Sequence, residues 1–522
     1  VKRAEYVATT LLFIFTVCLC LVAGELVIRA IDGYRIDRLA LVPREQQQAG
    51  PAALSLSYAK NARIDPSFNL AWYRTNPRDY DRSNKYPLPR DWVRAVANYK
   101  PAPGERPFVK EEFKFLYNEQ WLERACKTGE QTNVIKFYAR NPGFVYAFAS
   151  PDGSVDPQYR IVPRGWTEGD DYYNNFGFRG PDITPRKSAR TIRIAFLGAS
   201  ATAQGWPFTY PEYAVHFLRL WAKANHFDVD FDVINAGRSG LDSSGISRIL
   251  RYEVAPLHPD IVVYDGTTND FIMRPYVKQA GSSTPAPAAT SSIRTSVQDT
   301  TMPLEGYSAL LGRVYQLLFR RGGATGEPPK PEHALTFDFA QKNPDLSAPD
   351  LPFRLSGQVA DLQQIAETSK SIGARLFVSS FVALPHQGLR LDPERDRIII
   401  GELNSDYWPL TYGEIREGLD FQNNAYRELA EKGNYGYLDV SKYFPEDPEL
   451  FSDMVHFRTS SGERLQGWIV AQLLAAQIGD AITKRELPKP AYDPDPSALA
   501  WATAPPIKFG LSCLLHKEAA SQ

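Results

Sequence analysis

Cysteine is scarce, with 4 residues in 522. Two of them, Cys18 and Cys20, sit in an apolar run near the N-terminus, which leaves Cys126 and Cys513 far apart in sequence. These can form at most one disulfide, so a disulfide scaffold is excluded. No pair has metal-ligand spacing, and no base is paired with either thiol. A surplus of one charge is also missing. Lys+Arg at 59 balances Asp+Glu at 60, for a net charge of -1. That excludes a global basic excess for nucleic acid or an anionic membrane surface. The chain has no internal repeat. It contains no G-x-x-x-x-G-K-[ST] loop, which disfavours an NTPase, and no G-x-S-x-G elbow, which counts against an α/β-hydrolase.

Apolar material is plentiful. Hydrophobic residues make up 43% and charged residues 23%, a composition that supports a packed core rather than disorder. The aromatic share of 12%, with 40 prolines, suits either a loop-rich surface for flat ligands such as carbohydrate or a large core. At roughly 150 residues per domain, the length implies about three domains or one domain with long insertions.

Lys2 and Arg3 precede the uncharged run Tyr6 to Gly24, 19 residues long. At ~1.5 Å per residue it spans ~28 Å as a helix, the thickness of a bilayer's hydrocarbon core. The expectation is an uncleaved anchor over 1–24, with a cleaved signal peptide as the alternative. Counting flanking charges does not orient it. A lone N-terminal anchor commonly leaves the large C-terminal part outside the cytoplasm. The expected location is therefore the cell membrane, single-pass, with the main body periplasmic.

Residues 25–173 read as an accessory region, irregular from Asn61 to Pro101, with strand-like alternation at Gly143–Ala149 and Gln158–Val162. From Thr191 strands and helices alternate. Strands are expected at Ile192–Leu197, Phe231–Ile234, Ile261–Tyr264, Ala374–Phe381 and Tyr437–Val440. Helices are expected at Phe208–Ala224, Ser243–Glu253, Leu355–Ser371, Glu414–Glu431 and Ser461–Ile482. Ser460 and Glu463 would form a capping box on the last helix. The alternation predicts an α/β fold with an open parallel sheet between helix layers, and a ligand site beyond the C-terminal strand ends. Insertions interrupt it at about 275–350, with the low-complexity stretch Ser282–Ser292 and a helix over Tyr307–Arg321, and at 386–411. Such insertions can form a lid or substrate wall. Residues 488–522 form a Pro-rich tail.

Four chemical signals follow successive strands. Gly198-Ala199-Ser200 puts a hydroxyl on a tight turn. Asn235-Ala-Gly-Arg-Ser-Gly240 offers the Gly240 N–H to a developing oxyanion. Tyr264-Asp-Gly-Thr-Thr-Asn269-Asp270 offers a side-chain amide for the same purpose. In Asp453-Met-Val-His456 an imidazole can take the serine proton while the carboxylate orients it. Each has a bland reading: a capping turn, a glycine turn, an Asx turn, a structural histidine. Their order, each after its own strand, is specific.

On these residues the chain resembles the SGNH hydrolases, the GDSL esterase/lipase family. The resemblance runs from about Asn174 to Ile482 outside the insertions, so the 174–487 region is expected to be one SGNH-type domain. It includes Asn175-Phe-Gly-Phe-Arg-Gly180, similar to a lead-in of membrane-anchored, extracytoplasmic bacterial members. It implies a three-layer α/β/α flavodoxin-like fold with Ser200 as nucleophile, His456 as general base and Asp453 as its orienter. The oxyanion hole would comprise the Ser200 N–H, the Gly240 N–H and the Asn269 amide. The chain departs from the family pattern at Ala199, where the family has Asp, and at Thr267, which stands where glycine is usual while Gly266 lies one residue earlier. No metal, nucleotide or other cofactor is implied, and no nucleic acid. The implied activity is ester hydrolysis or O-acyl transfer, with an acetyl ester or cell-surface glycan as substrate and an envelope acyltransferase as the partner such a role admits. The alternative is a binding or scaffolding component of an envelope polysaccharide assembly, with the same fold and no turnover.

Overall fold

The structure is a computed structural model. It describes residues 2–31, 49–85, 172–205, 207–270, 332–347, 355–393 and 395–499, with short pieces at 146–147, 160–161, 163–165, 277–279 and 326–327 and single positions at 36, 308, 310 and 330. Ser282–Ser292, nearly all of Tyr307–Arg321, Cys126, Cys513 and the tail beyond 499 lie outside the described residues.

Five parallel strands form the central sheet: β1 (Thr191–Leu197), β2 (Asp230–Asn235), β3 (Ile261–Tyr264), β4 (Arg375–Ser379) and β5 (Gly436–Leu438). Their spatial order is β2-β1-β3-β4-β5. Ile194 lies between Val233 and Ile261, and Val263 pairs with Phe377. The near-continuous apolar run of β1 is what a strand covered on both faces requires, and Ile192, Ile194, Ala195, Phe196 and Leu197 are all fully buried. Arg193 interrupts it without being lost to the core. Its guanidinium donates to the carbonyls of Leu257 at 2.7 Å and Thr184 at 2.6 Å.

The helices are α1 (Lys2–Ile31), α2 (Ala49–Asn61), α3 (Ser200–Ala203), α4 (Tyr210–Ala224), α5 (Ser243–Ile249), α6 (Leu355–Ser371), α7 (Arg397–Ser405), α8 (Tyr412–Gly433) and α9 (Ser460–Thr483). Helices α4 and α9 pack together on one face and α5, α6 and α8 on the other. The sheet order reverses between β1 and β3, and the resulting crevice lies at their C-terminal ends, directly before α3.

Local chemistry sets the boundaries. Capping boxes start α4 (Thr209 with Glu212) and α8 (Thr411 with Glu414). The helix expected over Ser243–Glu253 is α-helical only to Ile249 and continues as a π-turn, Leu250–Val254. The expected capping box on α9 is corrected. Thr459 is the N-cap and accepts from the Ser461 N–H. Glu463 instead crosses to the other helix and accepts from the Tyr210 N–H at 2.7 Å. α7 lies inside the second insertion, where no helix was expected.

Part of the region expected to be accessory joins the same core. Ala59, Phe68 and Tyr73 are buried with Trp468 and Phe217. The Trp468 indole donates to the Ala59 carbonyl at 3.2 Å, and the Gln472 amide donates to Ala62 at 2.9 Å. Gln472 Oε1 accepts from the Ile64 N–H at 2.7 Å. Thus α2 lies against α9.

The N-terminal run folds as one helix, α1, with the free Cys18 and Cys20 exposed on it. Leu12, Phe13, Phe15, Leu19, Leu21 and Val22 are each more than half exposed. Among the described residues, no helix is long and apolar enough to cross a membrane. At the far end of α1, Glu25 accepts from the Ser308 hydroxyl at 2.8 Å and the Leu310 N–H at 2.9 Å.

Candidate active site

The chain leaves β1 through Gly198 and turns at once into α3, whose first residue is Ser200. Only glycine fits at 198. A Cβ there would lie 2.0 Å from Thr202 Oγ1. Ala199, at the position where the family resemblance expects Asp, is buried.

The loop after β2 locks against this turn. The Asn235 amide donates to the Thr202 carbonyl at 2.9 Å and to Thr209 Oγ1 at 3.0 Å. The Arg238 N–H donates to the Gly198 carbonyl at 3.1 Å. A Cβ on Gly237 would meet the Ala203 nitrogen at 2.5 Å, so the two backbones are in direct contact. The Arg238 side chain turns inward and grips Glu253 with both guanidinium ends, at 3.1 and 2.7 Å, both residues being buried. Glu253 belongs to the π-turn after α5. Gly240 ends the loop with φ +76°.

The loop after β3 supplies a floor. Thr202 Oγ1 donates to Asp265 at 3.0 Å. Burial pushes the Asp265 carboxyl up to about 7, against hydrogen bonds from Thr202, Tyr210, Ser379 and Gln466. Gly266 has φ +72°, and a Cβ there would come within 2.8 Å of the Tyr426 ring, which explains why glycine stands one residue earlier than the family pattern. Thr267 is accommodated because its hydroxyl donates to the Leu241 carbonyl at 3.1 Å. The Asn269 amide also donates to Leu241, at 2.7 Å. One of its two N–H bonds therefore holds the preceding loop, a clamp that was not expected. Asp270 accepts from the Ser243 N–H at 2.9 Å and fastens the start of α5.

The fourth loop completes the arrangement. Asp453 Oδ1 accepts from the N–H groups of Val455 at 2.9 Å and His456 at 2.7 Å, an Asx-type turn that presents the ring. Asp453 Oδ2 lies 2.6 Å from His456 Nδ1, and His456 Nε2 lies 2.7 Å from Ser200 Oγ. Burial works against the Asp453 charge. The hydrogen bond and charge of His456, with the two backbone donors, outweigh it and hold the carboxyl below its ordinary value. An ionised Asp453 fixes Nδ1 as the protonated nitrogen, which leaves Nε2 to accept from the Ser200 hydroxyl. The structure thus joins Ser200, His456 and Asp453 in one hydrogen-bonded chain at the topological switch point. The loops carrying Gly240 and Asn269 are tied to each other through Leu241. Neither Asp265 nor the Arg238–Glu253 pair stood out in the sequence.

No groups of His, Cys, Asp and Glu able to hold a metal occur among the described residues. No protein-family model matches the chain, and no curated protein matches it. Several solved structures are similar to part of the chain. A GDSL-like lipase from Bacteroides thetaiotaomicron is 14% identical, with 56% of this chain and 89% of that one covered and a TM-score of 0.26. An acetylxylan esterase from Geobacillus stearothermophilus is 14% identical, with 57% and 97% covered and a TM-score of 0.30. The chemistry of the site follows from its own geometry.

Proposed function

We propose that the chain is a serine esterase or O-acyltransferase of the SGNH type. The observation that carries this reading is the relay from Ser200 through His456 to Asp453, with contacts of 2.7 and 2.6 Å. In the forward step His456 Nε2 takes the Ser200 proton as Oγ attacks the ester carbonyl. The imidazolium, stabilised by Asp453, then protonates the departing alcohol, leaving an acyl-serine. In the second step His456 removes a proton from the acceptor, water in hydrolysis or a sugar hydroxyl in transfer, as its oxygen attacks the acyl carbonyl; the acyl–Oγ bond then breaks and the imidazolium returns the proton to Ser200 Oγ. The developing oxyanion is met by the Ser200 and Gly240 N–H groups and by the remaining N–H of the Asn269 amide.

The finer reading is a membrane-anchored, extracytoplasmic enzyme that moves a short acyl group, such as acetyl, on or off a cell-surface glycan. The anchor reading rests on the uncharged run Tyr6–Gly24 of the sequence and the exposed apolar side chains of α1, although no described helix is long and apolar enough to cross a membrane. The near-neutral chain suits a neutral ester or glycan better than a polyanion.

The test is covalent labelling of the full chain with a fluorophosphonate, beside hydrolysis of p-nitrophenyl acetate with and without added glycan. Wild type should label and turn over, and Ser200→Ala should do neither. If wild type fails to label, or labels as strongly as Ser200→Ala, the nucleophile assignment is wrong and the scaffold reading replaces it. Alkaline washing of membranes tests the anchor, since a chain held by α1 stays in the pellet.

A further inference from the structure

The turn that carries the relay is held by two carboxylates rather than one. Asp453 receives the N–H groups of Val455 and His456, while the N–H just before them in the turn, that of Met454, donates to Glu402 Oε2 at 2.9 Å. Glu402 comes from α7, inside the second insertion. The Met454 carbonyl is engaged as well, accepting from the Leu384 N–H at 2.9 Å, and the Met454 side chain is buried. Three successive N–H groups of one tight turn are thus shared between two acids. The groups acting on Glu402 are the carboxyls of Asp453 and Asp406, and Tyr407 beside it feels the same three carboxyls. Among the described residues, no cation figures among these groups.

We propose that Glu402 is a positioning residue for the relay: by accepting from the Met454 N–H it fixes the turn that holds Asp453 against His456. The proposal takes the Ser200–His456–Asp453 reading as its premise. Burial first, and the charge of Asp453 second, push the Glu402 carboxyl up to about 8, with the Met454 N–H opposing. Above that pH the two acids both carry charge and repel across one four-residue turn. The repulsion strains the turn whose N–H groups hold Asp453 and His456 in place. The insertion therefore contributes to the catalytic turn, beyond any part it has as a wall of the cleft.

The experiment compares full-length wild type, Glu402→Gln and Glu402→Ala. Histidine ring resonances are followed by NMR across pH 6–10, together with kcat and KM for p-nitrophenyl acetate. In wild type the His456 resonances should show an inflection near pH 8 and kcat should fall with the same midpoint. Glu402→Gln keeps an acceptor for Met454 and cannot ionise, so both features should vanish. Glu402→Ala should lower kcat tenfold or more at every pH with KM within twofold. An inflection that persists in Glu402→Gln or is absent from wild type, or a Glu402→Ala kcat within twofold of wild type, overturns the proposal. The NMR measurement needs no turnover. A wild type that titrates as expected yet hydrolyses no ester refutes the esterase reading while upholding the role of Glu402.

Discussion

Thr202 donates its hydroxyl to Asp265 across 3.0 Å, directly below the turn that carries Ser200. The carboxyl group also collects donors from Tyr210 on α4, Ser379 on β4 and Gln466 on α9, so one buried acid ties the nucleophile to the α4–α9 helix layer and to the sheet.

That acid makes stability depend on pH in a definite direction. An unfolded Asp titrates at about 3.9. Burial raises the folded group to about 7. Its contribution is complete below the unfolded value and is lost as pH rises through the folded one. The thermal midpoint of wild type should therefore fall between about pH 4 and 7, and Asp265→Asn should flatten that slope. Melting followed by circular dichroism at pH 5, 6, 7 and 8 checks this. Equal slopes in the two proteins would remove Asp265 as the cause.

Asp453→Asn keeps the shape of the turn but no longer fixes the His456 tautomer. Turnover of a short acyl ester should drop by about 10⁴-fold with little change in KM. Steady-state kinetics decide the matter, and a loss below tenfold would mean that another group orients the ring.

The buried Arg238–Glu253 pair should behave asymmetrically. Arg238→Ala leaves a buried carboxylate without its bidentate partner and should cost about 3–5 kcal/mol. Replacing both residues with apolar ones of similar volume should recover much of that. Urea unfolding of the single and double variants measures the difference. A double variant no better than the single one would contradict the argument.

Gly266→Ala puts a side chain on a left-handed backbone position and against the Tyr426 ring. It should destabilise the fold by about 1–3 kcal/mol. A destabilisation below ~0.5 kcal/mol in the same urea assay would show that the loop relaxes.

Much of this architecture is legible in the chain because its signals are local. The apolar run of β3 and the helix over Leu355–Ser371 are found where periodicity places them. Ser200, Asp453 and His456 stand out because turn chemistry after a buried strand spans few residues. The misses have a common cause. Glu463 looks like a capping residue for its own helix, yet its partner Tyr210 is 253 residues away. Glu402 and Met454 are 52 apart, and Thr202 and Asp265 are 63 apart. Asn61 to Pro101 lacks periodicity, although Phe68 and Tyr73 within it are core residues. Their packing surface is Trp468, nearly at the other end of the chain.

The contact of Trp468 with Ala59 joins groups 409 residues apart. A ribosome adding about 5–20 residues per second makes α9 roughly 20–80 s after α2. Through that interval the side of α2 that packs on α9 has no native partner. Helix α9 thus acts as a late clasp, and a chain truncated before residue 460 would leave the α9-facing side of α2 and the face of the sheet that α9 covers open to water.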